Sequence, residues 1–588
     1  MSDDAHADTR TQEASPRTAG ASAAGTSAVT VTEASAGSVT TTSAGSQTAG
    51  PAPAEAPAGS QPTARPGQAA AAAGTTQPAG TTQLAAPAQP QKPAQPQKPA
   101  RRNWWAFLLG PAAGALLALV LPDSLALEGR AVAGCALWMA IWWVTEAVPI
   151  PVTSLLPLVL FPLFGMGTVA EVAAPYANSV IFLVMGGVIL GLATERSNLH
   201  LRIALLTIRL VGTKPSQVVM GLMIASAFIS AWVSNTATAV IMVPIAVSVI
   251  NLVRSIDTSA GGPKFAASML LGVAYGVTIG STATLIGQPP MALMKGYLAE
   301  SQGIELGFGQ WMLVGVPWAI VMLGIAWVVL ATIVFRPEAD QLPGGAELIR
   351  SEYRKLGRMS TSEKRVAVIF SIAIVFWVAV PFLADIPWVA QNLPFLGSID
   401  DTQVAIAAGI ACFIVPRDTR AVDPAGTPLL SWSAAKEIPW GLLLLFGGGL
   451  SLSAMFTATG FSEWVGEQVG GLTAVPAWVV VVAVAVVSLL LTELTSNTAT
   501  AAAFLPIFGS VAVGIGLDPL LMTITVTLAV CSAYMLPVAT PSNAVAFGSG
   551  EVTIKQMVRA GVWLNVISLG LIMVVLYTIV PLVFGVSL

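Results

Sequence analysis

The chain presents a succession of apolar runs about twenty residues long, the length at which a helix crosses the hydrocarbon core of a bilayer. They fall near 103–121, 131–150, 152–166, 177–195, 265–298, 309–335, 366–384, 402–415, 439–459, 518–550 and 560–584. Within lipid every backbone N–H and C=O must be bonded inside the segment, so such runs specify helices. Two further apolar stretches, 217–250 and 476–514, carry polar residues at their centres and read as re-entrant helical hairpins. Only 10% of the 588 residues are charged while 55% are hydrophobic, too few charges to cover a soluble protein of this size. The expected fold class is an all-α polytopic membrane protein of about 11 transmembrane helices plus the two hairpins.

Composition narrows the function classes. The formal charge of −3 and the lack of a basic tract exclude nucleic acid as a partner. Cys135, Cys412 and Cys531 lie far apart inside apolar runs and read as small buried hydrophobes. With His6 and His200 as the only histidines, neither a zinc hydrolase nor a histidine-based triad is expected, and the chain reads as no enzyme. Residues 1–100 are rich in Ala, Pro, Thr and Ser, with the hexapeptide AQPQKP in tandem at 88–99. Such a segment buries too little apolar surface to offset chain entropy and is expected to be disordered. Deleting residues 1–95 should therefore leave the membrane-embedded part and its activity intact. A truncated protein that reaches the membrane but loses most of its activity would contradict this.

Loop charges orient the scheme. With the N-terminus cytoplasmic, one side receives Arg101, Arg102, Arg202, Arg209, Lys214, Arg254 and Lys264. The charged 336–365 loop, Arg417, Arg420, Lys436, Lys555 and Arg559 lie on that side too. The other side receives the acidic 299–308, 385–401 and 460–470 segments, and only Arg130 and Lys295 run against the trend. This works only if 217–250 and 476–514 each leave the membrane on the side they entered, which puts the C-terminus outside.

The most informative motif occurs twice. Residues 234–240 read SNTATAV and residues 496–502 read SNTATAA, each followed by an apolar run ending in proline. After each comes a Gly/Pro-rich break inside an apolar span, IGSTATLIGQPPM at 279–291 and MLPVATPSN at 535–543. By the span count the two hairpins open to opposite sides, which describes an inverted repeat. The domain scheme is then a tail over 1–100, a first transmembrane helix within 101–130 and a first repeat over 131–335 with its hairpin at 217–250. A cytoplasmic linker over 336–365 follows, then a second repeat over 366–588 with its hairpin at 476–514.

Irregular backbone at membrane depth must line a protein cavity or bind something. Ser, Asn and Thr are favoured N-cap groups, and the helix N-terminus they open is a ready anion site. The carbonyls and hydroxyls just before it suit a hard cation such as Na⁺. Two such tips near the midplane offer one half-site to each end of a dianion. No Lys or Arg lies within either motif, so bound cations are the natural countercharge. The blander alternative is that these residues only cap or pack helices. Glu146 and Glu493 are acids within or beside spans and are read as supporting residues, and Glu195-Arg196 as a local ion pair.

These motifs resemble the divalent anion–sodium symporter family. The resemblance covers essentially all of 101–588 and includes WWVTEAVPIPVTSLLPL at 142–158, LGRMSTSEKRVAVIF at 356–370, IPWGLLLLFGGGL at 438–450 and MLPVATPSNAVAFGSG at 535–550. It implies an elevator-type homodimer in the plasma membrane that carries small dicarboxylate anions with Na⁺ as coupling ion. It also implies a first sodium site at Ser230, Ser234, Asn235 and Gly287 and a second at Thr492, Thr495, Asn497 and Ala539. Substrate carboxylates would meet Asn235, Thr236, Asn497 and Thr498, with Thr540 and Pro541 from the second break. At the first break family members commonly read Gly-Ser/Thr-Pro-Pro-Asn, whereas this chain has Gly287-Gln288-Pro289-Pro290-Met291. Gln288, with Pro289 beside it, is expected on the substrate, its amide donating to a carboxylate.

Overall fold

The structure, a computed structural model, describes residues 104–212, 214–257, 261–337, 351, 353–417, 427–471 and 475–586. The expected disordered tail over 1–100 lies outside the described residues, as does 338–350 of the charged linker. Helix dominates, and the one β feature among the described residues is an isolated bridge between Pro416 and Pro428. Among the described residues, eight helical segments of at least 18 residues are apolar enough to cross a membrane, the longest being Ile554–Phe584 at 31 residues. The expected span at 152–166 is instead two short pieces, Ile150–Thr153 and Leu156–Leu163. Pro151 and Pro157 sit in their first turns, where the missing N–H is tolerated but a preceding helix is not continued.

Polar side chains cap three of the helices at their starts. Ser360 and Glu363 form a reciprocal cap on Thr361–Ala384, and Thr553 and Gln556 form one on Ile554–Phe584. Asp518 accepts from the N–H of Leu520 to open Pro519–Val530.

Both polar-centred stretches are helix pairs. The first hairpin joins Pro215–Ser230 to Asn235–Ile256, and the second joins Ala477–Thr492 to Asn497–Gly514. Each is followed by a broken helix. The first runs as Pro263–Gly280 and Pro289–Gln302, the second as Pro519–Val530 and Pro541–Gly548. The two units interlock. Pro541–Gly548 packs on Asn235–Ile256, while Pro289–Gln302 packs on Asn497–Gly514.

The ends of these elements show the same exchange. Arg254, at the open end of the first hairpin, donates to both Glu551 oxygens at 2.8 and 2.7 Å, just past the second broken helix. Hydrogen bonding from Arg254 holds the Glu551 carboxyl below the usual carboxylate range. Tyr297, near the end of the first broken helix, lies so close to Gly509 of the second hairpin that a Cβ there would sit 2.0 Å from its hydroxyl. Each broken helix thus runs from the base of its own hairpin to the base of the other, so the two run in opposite directions.

Both residues that broke the charge trend have a partner. Arg130 pairs with Asp123 at 2.6 Å. Lys295 is buried, donating to Asp401 Oδ2 at 3.0 Å and to Leu306 O at 2.7 Å. Arg196, expected to pair with Glu195, instead reaches Glu437 at 2.5 Å. The tertiary partner lies 241 residues away, which no local pattern announces.

Candidate functional site

Each hairpin is tied to its broken helix by one hydroxyl at the end of its first helix. Ser230 donates to Val277 O at 2.6 Å, and Thr492 donates to Val530 O at 3.1 Å. At the first crossing the helices touch because Gly280 has no side chain, a Cβ there falling 2.2 Å from Ala227 O. Thr284 then bridges the tip and the break. Its hydroxyl donates to Ala231 O and accepts from Gly287 N at 3.1 Å. Gly287 fits only as glycine, since a Cβ would lie 2.3 Å from Ser281 O.

The two tips differ in how their polar atoms are satisfied. In the second, Thr492 also donates to Asn497 Oδ1 at 2.7 Å, and Thr495 bonds Thr500 Oγ1 at 2.7 Å and Leu491 O at 2.9 Å. The Thr495 hydroxyl is therefore turned into its own hairpin. In the first, position 233 is Val where the second has Thr495, and Thr238 Oγ1 has no partner. Asn235 Oδ1 is likewise buried, and neither atom has a hydrogen-bond partner among the described residues. An orphaned carbonyl oxygen in a buried polar tip suits a hard cation with neutral oxygen ligands.

The second break is held by Glu493. Its carboxylate accepts from the backbone N–H groups of Tyr534, Met535 and Leu536 at 2.9–3.2 Å and from Asn565 Nδ2 at 2.6 Å. This is a bracing role, and the matching position of the first tip, Ala231, contributes only its backbone carbonyl. Ala539 is buried and its N–H meets Leu536 O at 3.3 Å, within the segment that Glu493 anchors. Glu146, the other acid, ends Leu127–Thr145 in the left-handed conformation, with φ 47°, and is exposed.

The residues that the resemblance implies for substrate and sodium differ in exposure. Ser234, Thr236 and Pro541 are exposed, while Asn235, Pro289, Asn497 and Thr498 are half-buried. The buried Thr540 and Thr278 are joined through Ser542, whose hydroxyl lies 3.0 and 2.9 Å from theirs, so the breaks touch each other. Thr278, Thr284 and Ser542 were not singled out in the sequence, because small hydroxyl residues in apolar spans carry no distinguishing pattern.

Gln288 departs from expectation. It is only 3% exposed, and its Nε2 donates inward to Thr278 O at 3.1 Å and Ser281 Oγ at 2.5 Å. Both amide hydrogens are used, so none is left for a carboxylate. Met291 is fully buried and packs in the core.

Comparison with known proteins agrees with this architecture. A model of the sodium:sulfate symporter transmembrane region matches residues 101–585. The sodium-dependent dicarboxylate transporter SdcS of Staphylococcus aureus (strain bovine RF122 / ET3-1) is 41% identical over 486 residues, 82% of this chain and 92% of the relative. SdcS of Staphylococcus saprophyticus is 39% identical over 485 residues, again 82% and 92% of the two chains. Among solved structures, MtrF of Neisseria gonorrhoeae aligns over 69% of this chain and 83% of its own at a TM-score of 0.50 and 13% identity, a likeness of fold alone. With the family model spanning nearly all of the chain beyond its tail, the protein belongs to the divalent anion–sodium symporter family.

Proposed function

We propose that the chain is a secondary active transporter that carries C4-dicarboxylates such as succinate, malate and fumarate across the plasma membrane with Na⁺. The observation that carries this reading is the pair of Ser-Asn-Thr tips meeting two linked breaks, with the Asn235 carbonyl oxygen left unpartnered. Neither motif contains a cationic side chain, so sodium ions supply the charge that a dianion requires. The relatives' description as sodium-dependent dicarboxylate transporters supports the same reading.

In this reading Ser230, Ser234, Asn235 and Gly287 hold one sodium ion, and Thr492, Thr495, Asn497 and Ala539 the other. Thr495 and Ala539 contribute backbone carbonyls, Thr495 because its hydroxyl is engaged elsewhere. Asn235, Thr236, Asn497 and Thr498 face the carboxylates, with Pro289, Thr540 and Pro541 closing the pocket. The opposed broken helices favour an inverted repeat, with a cytoplasmic N-terminus and an extracytoplasmic C-terminus. The interlocked hairpins and broken helices then form the unit that moves in an elevator-type homodimer.

The test is uptake of labelled succinate into proteoliposomes under an inward Na⁺ gradient, with choline as the control. Uptake that collapses in choline supports symport. Equal uptake in choline, stimulated by internal succinate, points to sodium-independent exchange. Preferential inhibition by citrate or sulfate reassigns the substrate.

A further inference from the structure

The two breaks have the same backbone geometry but are stapled differently. Gln288 and Thr540 both cap the helix that resumes after the break, with φ and ψ of −135° and 143° against −138° and 149°. Each is followed by proline, and the third residue of each resumed helix, Met291 or Asn543, is fully buried.

In the second break Asn543 supplies the staple. Its Nδ2 donates to Leu536 O at 3.1 Å and to Ala533 O at 3.4 Å. Thr540 supplies the cap, its hydroxyl accepting from Asn543 N at 3.2 Å. In the first break Met291 has no polar group to give, and Gln288 makes no side-chain cap. The Gln288 amide instead reaches Thr278 O, a carbonyl ten residues upstream, the same separation as between Asn543 and Ala533.

We propose that Gln288 is a positioning residue whose side-chain amide braces the first break from the N-cap position, replacing the amide that Asn543 supplies three residues further along the second. The extra methylene of glutamine lets it reach back across the loop, at the expense of the hydroxyl cap, and Met291 fills the volume that a bracing asparagine would occupy. Positions 288 and 291 therefore act as a unit: threonine with asparagine, or glutamine with methionine. Mixed pairs leave the break either without an amide staple or with two competing amides in a buried site. The brace adjoins Gly287, whose N–H is held by Thr284, so it sets the backbone facing the Asn235 tip. Its effect on sodium dependence rests on the transport reading above. The brace itself does not.

The experiment is a double-mutant cycle in the full chain with Gln288→Thr, Met291→Asn and the two combined. The readouts are the thermal midpoint of the purified protein and the Na⁺ concentration for half-maximal succinate uptake. Each single variant should lower the midpoint by about 2 °C or more. Each should also raise the half-saturating Na⁺ at least about fivefold. The combined variant should return the midpoint to near wild type and the half-saturating Na⁺ to within about twofold, because the second break's arrangement is then complete in the first. If a single variant fails to accumulate, recovery of folded protein in the combined variant supports the brace equally. Gln288→Glu, which keeps the length but loses both donors, should behave as Gln288→Thr does. An unchanged midpoint in Gln288→Thr, or a combined variant as impaired as the sum of the singles, overturns the proposal. If wild type shows no Na⁺-dependent uptake of any dicarboxylate, the transport reading falls while the thermal cycle still decides the brace.

Discussion

Alanine at Asn235 is expected to abolish sodium-dependent uptake while the protein stays folded. The side chain opens Asn235–Ile256, is half-buried, and has a carbonyl oxygen with no partner among the described residues, so its removal costs the fold little. A hydrogen bond to a charged group is worth about 1.5–3 kcal/mol, and in the proposed site the amide serves a carboxylate while its oxygen serves a cation. Losing both should reduce uptake by well over about tenfold. Asn497→Ala should inactivate as strongly but also lower stability slightly, because Asn497 accepts from Thr492 at 2.7 Å. The Thr492 hydroxyl retains Val530 O, which limits the damage. The assay is succinate uptake beside a size-exclusion profile of the purified protein. Near-normal uptake by either variant would mean that the motifs serve only as helix caps.

Glu493→Ala should act on the fold instead. The carboxylate is 2% exposed and satisfies three consecutive backbone N–H groups of the unwound segment together with the Asn565 amide. Each buried donor left unbonded costs about 1–3 kcal/mol, and removing the acceptor strands four of them. Relaxation and water entry offset part of that, so a net loss of about 3–5 kcal/mol is expected, comparable with breaking a buried ion pair. Membrane accumulation and the thermal midpoint should both fall sharply. Glu493→Gln should be intermediate, since its one carbonyl oxygen still accepts. A Glu493→Ala protein as stable as wild type would show that water replaces the carboxylate at no cost.

These expectations differ in origin. Asn235 and Asn497 were legible because the same polar heptad interrupts two apolar runs, and non-helical backbone in lipid has few explanations other than a lined cavity. Glu493 was legible only as an acid out of place. Nothing near it in the chain announced Tyr534–Leu536 as its partner, because a carboxylate bonding three backbone N–H groups demands no particular side chains there. The buried Lys295–Asp401 pair was visible only as an exception to the loop-charge trend.

The helical membrane fold and the two polar-centred helix pairs, each followed by a broken helix, were legible in the sequence. Each follows from local chemistry: apolar length, backbone hydrogen-bond demand in lipid, and the capping preferences of Ser, Asn and Thr. What each polar atom bonds is set by tertiary packing. The Gln288 amide turns into the break, the Thr495 hydroxyl is committed to Thr500, and Ser542 links Thr278 to the second break. The reason is that an amide or hydroxyl in a low-dielectric interior takes the nearest well-oriented partner, and that partner is fixed by how distant segments pack rather than by its place in the chain.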